Sequence, residues 1–472
     1  MPEPVATLLS PGLSEGEHWL ILAVQSVAFV AAVAIILRLA HEKRAPANIF
    51  AWSLFLLFLP VLGVPFYLLL GGRKIRRLVA EKTRIRHMAS AWSEACAVPG
   101  SGRVIPCNRV RLLPDGVAAY RAVCREIDRS RTSIDIATFI LGRDAVGRSL
   151  VARLTAKARQ GVRVRLLIDA LGSLGARDAM FRDFRAAGGT VHRFIPLSPF
   201  VAKASANLRN HRKIAVFDGK RAIVGGQNMD GRFLAPRSSR ALFADLGLVV
   251  EGPAVEALWL VFAGDWAFAS GEEVPLVVPA EHLTTTPCGT SGLEIIPSGP
   301  DIEGDFLWEK IITLVQEARR SITIVTPYFI PDEVLLRSLL IRAHNGTHVR
   351  IVVPEKSNHP IVDFARNRYL RQMAEQGVEI LFYRHKMLHA KLILVDGEKA
   401  VSGSANIDPR SFFVNFEIGL IHSAPEDINA FRAWLEERIL PRCVRFEDSP
   451  RSRETRLRLA LENFAHLLTP LL

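Results

Sequence analysis

Two stretches of the chain place a histidine, a lysine two residues on and an aspartate five residues later: His211, Lys213 and Asp218, then His389, Lys391 and Asp396. Histidine can act as base or nucleophile near neutral pH, and lysine supplies a compact positive charge. On a strand, residues two apart share a face, so each motif presents an imidazole and an ammonium together. The two stretches, HRKIAVFDGKRAIVGGQN and HAKLILVDGEKAVSGSAN, align without gaps. Each reaches Asp-Gly and then a second apolar run, the pattern of a hairpin with a tight turn, so Asp218 and Asp396 serve the turn as much as the chemistry. Beyond the turn, Asn228 in one copy and Ser404 with Asn406 in the other add small polar groups. Cations and polar donors beside a histidine suit a phosphate group.

Two such histidines facing one another across a pseudo-twofold interface would split phosphodiester exchange into two steps. One attacks phosphorus while the other protonates the leaving alcohol and then activates the incoming one. Lysine and asparagine would hold the nonbridging oxygens, so neither a metal nor another cofactor is expected. A histidine nucleophile also needs its far ring nitrogen held by an acceptor. Glu417 in NFEIGLI and Asp245 in FADLGLVV occupy corresponding places after the two motifs and are the candidate orienters.

The motifs close a longer repeat. SIDIATFIL from Ser133 matches SITIVTPYFI from Ser321, GVRVRLLID from Gly161 matches GTHVRIVVP from Gly346, and GGTVHRFIP from Gly188 matches QGVEILFYR from Gln376. Helix-like stretches separate these β-branched runs, so the pattern predicts an α/β body built twice. The chain has 472 residues, too many for one ordinary core. Its five cysteines lack paired C-x-x-C spacing, which argues against a zinc site.

Upstream, residues 19–37 and 49–70 are uncharged and apolar, and predict two transmembrane helices, the second kinked by Pro60 and Pro65 or bent into a re-entrant hairpin. Arg73, Lys74, Arg76, Arg77, Lys82, Arg84 and Arg86 follow, which puts the body in the cytoplasm. His41, Lys43 and Arg44 between the apolar segments are also basic, so two full spans satisfy the positive-inside rule poorly. The net charge of +13 favours polyanionic partners. A membrane-held body makes anionic lipid the available phosphodiester, and nucleic acid is not expected as a partner.

These residues resemble the phospholipase D superfamily, whose signature His-x-Lys-x(4)-Asp-x(6)-Gly-[Gly/Ser]-x-Asn is met at both copies. NLRNHRK from Asn207, TPYFIPDE from Thr326 and SANIDPRSF from Ser404 are similar to the bacterial cardiolipin synthases within it. The resemblance implies two pseudo-symmetric αβα-sandwich domains, at 106–285 and 286–448. Before them would come a tail (1–18), the anchor (19–72) and a basic linker (73–105), and after them an amphipathic segment (449–472). It also implies transfer of a phosphatidyl group between phosphatidylglycerol molecules through a phosphatidyl-histidine. His211, Lys213, Asp218, His389, Lys391 and Asp396 would be catalytic, with Asn228, Ser404 and Asn406 on the phosphate. A hydrolase with water as acceptor is the nearest rival, and a lipid-binding scaffold with relic motifs the more distant one.

Overall fold

The computed structural model describes residues 15–41, 46–70, 103–195, 208–272, 288–302 and 304–449, with Leu459 and Glu462 beyond. The basic run at 73–86, Lys43 and Arg44, the expected boundary near 285 and nearly all of the C-terminal segment lie outside the described residues. The chain divides into two compact units, the apolar N-terminal region and the body.

In the first unit, α1 (Glu15–Ala40) is apolar from Gly16 to Ala40, 25 residues. At about 1.5 Å per residue it exceeds a hydrocarbon core of about 30 Å. The second apolar segment departs from the expectation of one spanning helix. It forms α2 (Pro46–Phe58) and α3 (Pro60–Leu70), separated at Leu59. Pro60 has no N–H to carry α2 onward, but at the start of α3 that lack costs nothing. The rings of Trp52 and Tyr67 lie 5.2 Å apart and those of Phe55 and Phe66 6.0 Å apart. On one straight helix Trp52 and Tyr67 would be separated by about 22 Å, so α2 and α3 fold back on each other. Each arm, at about 20 Å or less, is too short to cross. One helix is thus long and apolar enough to cross a membrane, and the second segment takes the hairpin form that was the alternative to a second span.

The body starts with β1 (Ile105–Leu113) and α4 (Gly116–Arg129), the latter capped by the Asp115 carboxylate on the N–H groups of Val117 and Ala118. The first repeat runs β2 (Ser133–Thr138), α5 (Ala145–Arg159), β3 (Arg163–Asp169), α6 (Arg182–Ala186), β4 (Thr190–Phe194), β5 (Ile214–Phe217), β6 (Arg221–Gly225) and β7 (Gly247–Glu251). The long α7 (Ala254–Ser270) and β8 (Ser291–Ser298) lead across. The second repeat follows as α8 (Phe306–Glu317), β9 (Ser321–Val325), α9 (Glu333–His344), β10 (His348–Pro354), α10 (Pro360–Glu375), β11 (Glu379–Tyr383), β12 (Leu392–Val395), β13 (Lys399–Gly403), α11 (Pro409–Phe413) and β14 (Glu417–His422). The described body closes with α12 (Pro425–Trp434) and β15 (Cys443–Arg445).

Strand order makes the duplication explicit. Outward from the central β1 and β8, the sheet reads β7-β6-β5-β2-β3-β4 on one side and β14-β13-β12-β9-β10-β11 on the other. In each half three successive strands, β2-β3-β4 and β9-β10-β11, are parallel and the motif strand pairs antiparallel with the first of them, while β15 adds an antiparallel edge beyond β11. This is the α/β architecture expected. One apolar cluster draws on both repeats, with Val216, Val224, Leu248, Trp259, Ile295, Leu392 and Ile418 buried together. Such shared burial is what holds two half-sites at fixed spacing.

Both Asp-Gly turns appear, with φ of 51° at Asp218, 62° at Gly219, 54° at Asp396 and 67° at Gly397. Left-handed backbone at both central residues marks type I′ geometry, which asparagine, aspartate and glycine tolerate best. The Asp218 carboxylate accepts from the backbone N–H groups of Arg131, Thr132 and Ser133, and Asp396 from those of Arg319, Arg320 and Ser321. Each aspartate therefore locks its turn to the start of the neighbouring parallel strand, at the opposite end of the motif strand from the histidine. Each aspartate lies seven residues beyond its histidine, four of the intervening ones in the strand, up to about 23 Å of extended chain. The structure does not bring these two into the site.

Candidate active site

The histidines stand just before β5 and β12, where the two repeats cross. His211 N–H donates to the Phe416 carbonyl at 2.9 Å, and Phe416 N–H to that of Arg209 at 2.9 Å. The second half repeats this: His389 N–H donates to Ala244 and Ala244 N–H to Met387, both at 2.7 Å. Each motif is thus zipped, parallel, to the residue preceding the other repeat's orienter. Glu417 therefore reaches His211, with Nδ1 at 2.9 and 3.0 Å from its two carboxylate oxygens, and Asp245 reaches His389 Nδ1 at 2.8 Å. The orienters expected from sequence are in place, but exchanged between halves. Neither half contains a complete histidine dyad.

The lysines close the pocket. Lys213 Nζ donates to the His211 carbonyl and Lys391 Nζ to the His389 carbonyl, both at 2.6 Å. His211 is 9% exposed, Lys213, His389 and Lys391 are each 5% exposed, and Asp245 and Glu417 are fully buried. Burial lowers every cation here. It takes His211 down to about 4, with Lys213 adding to the effect against the pull of Glu417. It takes Lys213 to about 7, aided by Lys391, and Lys391 to about 8. His389 is held well below its usual value by burial and by the charges of Lys391 and Lys213.

The two carboxylates part company. Burial pushes Asp245 up to about 7 against the pull of Lys391. Burial acts on Glu417 in the same sense, but His211, Lys213 and the Ser404 hydroxyl outweigh it and keep the group below its usual range. Local chemistry explains the difference. Ser404 donates to the Glu417 carboxylate and accepts from Ile418 N–H. The matching position is Gly226, where a Cβ would lie 2.6 Å from Asp245 Oδ1 and 3.2 Å from Lys391 Cδ, so no hydroxyl can be placed there. Asp245 accepts from the N–H of Leu246 and pairs with the His389 imidazole.

Ser404 is thereby corrected: expected on the phosphate, it supports the carboxylate that holds His211. Asn228 spends its side-chain oxygen on Ile140 N–H, leaving its amide N–H groups for a ligand, and Asn406 has a buried side-chain oxygen without a hydrogen-bond partner. Two kinds of residue escaped sequence reasoning. Aromatic rings cover both histidines, Phe139 at 5.0 Å from His211 and Phe233 at 4.8 Å from His389, edge-on in each case. Arg212, inside the first motif, is buried and binds Asp265 at 2.7 Å, the Glu417 carbonyl at 2.9 Å and the Ser298 carbonyl at 3.0 Å. Its counterpart Ala390 makes no such clamp. The apolar run around Phe139 and the arginine between two functional residues were visible, but nothing in their spacing told which way they point.

A doubled α/β sheet that presents two histidine-lysine pairs to a single pocket defines a phosphodiester-transferring protein of the phospholipase D type. Comparison with known proteins narrows the class. The model of the family described as cardiolipin synthase, PLD-like domain, matches residues 123–266 and 311–439, and that described as phospholipase D-nuclease N-terminal matches 27–72. A cardiolipin synthase of Geobacillus kaustophilus is 31% identical, covering 98% of this chain and 96% of the relative. The major cardiolipin synthase of Bacillus subtilis is 31% identical over 86% of this chain and 93% of its own. A crystal structure of phosphatidylserine synthase from Haemophilus influenzae shares the fold, with a TM-score of 0.61 at 13% identity over 82% of this chain and 100% of the other. The chain belongs to the cardiolipin synthase family of phospholipase D-like proteins.

Proposed function

We propose that the protein is a phosphatidyltransferase that moves a phosphatidyl group from one phosphatidylglycerol to the terminal hydroxyl of another, making cardiolipin and releasing glycerol. The observation that carries this reading is the crossed pair of dyads, which gives one pocket two imidazoles of different character. The first dyad has an ionised Glu417 on Nδ1 of a neutral His211, which leaves Nε2 with its lone pair free. The second has Asp245 raised to about 7 by burial, so at neutral pH the Asp245–His389 pair can hold the proton that a general acid needs.

His211 is accordingly the nucleophile. Its Nε2 forms a bond to phosphorus as the bond from phosphorus to the glycerol oxygen breaks, and the proton of the second dyad goes to that oxygen. After glycerol leaves, the hydroxyl of a second phosphatidylglycerol gives its proton back to His389 and attacks phosphorus, and the phosphorus–nitrogen bond breaks. Lys213, Lys391, Asn228 and Asn406 stand where nonbridging oxygens gain charge. The buried, ring-covered histidines favour an alcohol presented by a lipid over bulk water.

At the membrane, α1 crosses and the α2–α3 hairpin dips and returns. Both basic runs, at 41–44 and 73–86, then fall on one side, which the positive-inside rule assigns to the cytoplasm together with the body. The test of function is to supply the purified full chain with labelled phosphatidylglycerol and no nucleotide. Cardiolipin with equimolar glycerol supports the reading, and phosphatidic acid as sole product sinks it. Within the same assay His211→Ala and His389→Ala each abolish turnover, and mass spectrometry of the His389→Ala protein finds a phosphatidyl adduct on His211.

A further inference from the structure

The body leaves few large apolar side chains in solvent. Among the described residues they are Val104, Leu171, Leu174, Val334, Ile341 and Ile361. Three of these six, Leu171, Leu174 and Ile361, follow the corresponding strands β3 and β10 of the two repeats, while Val334 lies in the first turn of α9, after β9. Leu174 is 63% exposed and Ile361 53%.

Hydrogen bonds tie both loops to the site. After β3, the N–H groups of Leu171 and Gly172 bind Asp169 Oδ1 at 2.9 Å, and the same carboxylate accepts from Asn210 N–H, one residue before His211. Gly172 packs directly on Phe139, the ring that covers His211. After β10, Asn358 accepts from the Tyr328 hydroxyl at 2.7 Å and His359 packs edge-on to that ring at 5.4 Å. Tyr328 itself continues β9, the strand paired with the Lys391 strand. Arg177 in the first loop and Lys356 in the second are exposed. Apolar tips with cations beside them match the boundary of an anionic bilayer, where acyl chains and phosphates lie within a few ångströms of each other.

We infer that these two loops form a docking rim for an anionic bilayer, with Leu171, Leu174 and Ile361 entering the interface and Arg177 and Lys356 meeting headgroups. The rim lets a phosphatidylglycerol headgroup enter the pocket while its acyl chains stay in the membrane. The inference rests on the proposed activity for the identity of that headgroup, but not for the docking itself. In bilayers containing phosphatidylglycerol lipids brominated on the acyl chains, the full-length Leu174→Trp protein shows strong tryptophan quenching relative to the same chain with Leu174 restored. Absence of added quenching overturns the inference whether or not cardiolipin is made. The triple variant Leu171→Ser, Leu174→Ser, Ile361→Ser loses roughly ten- to a hundredfold in rate on phosphatidylglycerol vesicles. It keeps the wild-type rate on short-chain phosphatidylglycerol below its critical micelle concentration. Equal losses on both substrates, or none on vesicles, refute the rim. Concentration-dependent dimerisation that the triple variant loses, without quenching, assigns the patch to a second copy and also overturns it. A wild-type chain that makes no cardiolipin from either substrate refutes the activity alone.

Discussion

Glu417→Gln removes one charge and keeps the shape. In the native site both carboxylate oxygens lie within 3.0 Å of His211 Nδ1, the group is fully buried, and Ser404 holds it from behind. Breaking one partner of a buried, hydrogen-bonded ionic contact costs about 3–5 kcal/mol. If that loss falls on the transition state, where positive charge grows on His211, it corresponds to roughly two to nearly four orders of magnitude in kcat. The amide can also turn its N–H toward Nδ1, which forces the proton onto Nε2 and takes away the lone pair. Asp245→Asn should cost less. Burial raises Asp245 to about 7, so its carboxylate is less fully ionised at neutral pH than that of Glu417, which is held below its usual range. A loss of about 1.5–3 kcal/mol, typical of a hydrogen bond to a charged group, gives roughly ten- to a hundredfold. Initial rates of glycerol release at saturating phosphatidylglycerol, at pH 7, measure both. If Glu417→Gln retains activity within tenfold of wild type, or loses less than Asp245→Asn, the assignment of His211 as the nucleophile fails.

The lysines set an alkaline limit: they must be cationic to hold phosphate, so kcat/KM should fall as pH rises through about 7 to 8, while His211 stays neutral down to about 4. Lys213→Arg, whose charge persists to high pH, removes one of the groups that titrate there, so the limb should become shallower in whatever activity remains, with Lys391 and the Asp245–His389 proton setting what is left; an unchanged limb refutes the assignment. For Asp218, burial raises the carboxyl but three backbone N–H groups and the Thr132 hydroxyl outweigh it, so the folded pKa lies below the usual 3.8. Its stabilisation is then complete above about pH 4 and fades as pH falls through the lowered folded value. Asp218→Asn should cost about 2 kcal/mol of stability at pH 7 in thermal melts, converge with wild type in acid, and leave kcat per folded molecule nearly unchanged. Arg212→Met removes the guanidinium that Asp265 and Asp301 face in the interior and should cost about 3–5 kcal/mol, read as a lowered midpoint in urea.

The repeat was legible because strands announce themselves by β-branched runs and the two copies could check one another. Ile134 and Ile136 in one half and Ile322 and Ile324 in the other are buried at matching register, as the alternation required. The turn role of Asp218 and Asp396 was legible for a similar reason, since Asp-Gly between apolar runs has few conformations open to it. The second apolar segment left a span and a hairpin both open because hydropathy counts length and not direction. Only the proline position hinted that IFAWSLFLLF and VLGVPFYLLL belong to separate helices. Ser404 misled because a hydroxyl in a small-residue loop serves a phosphate or a carboxylate equally well, and the choice depends on a β14 side chain 13 residues away.

The exchange of orienters between halves could not be read from sequence, although both residues could. Each copy contains a histidine and, further on, an acid, and nothing in one copy says whether they meet each other or their counterparts. The reason lies in backbone pairing: Phe416 and Ala244 lie one residue before the acids, and each hydrogen-bonds the start of the opposite motif. Once those bonds form, the acid that follows has only the other half's histidine within reach. Duplication with crossing also explains why the halves can differ without losing the site. The pairing fixes where each carboxylate lies, while Ser404 against Gly226, and Arg212 against Ala390, determine how strongly it is held and how fully it is ionised. Two identical supports would leave two equivalent bases; the unequal supports behind the same crossed frame are what the proposed mechanism uses to make one dyad the nucleophile and the other the proton carrier.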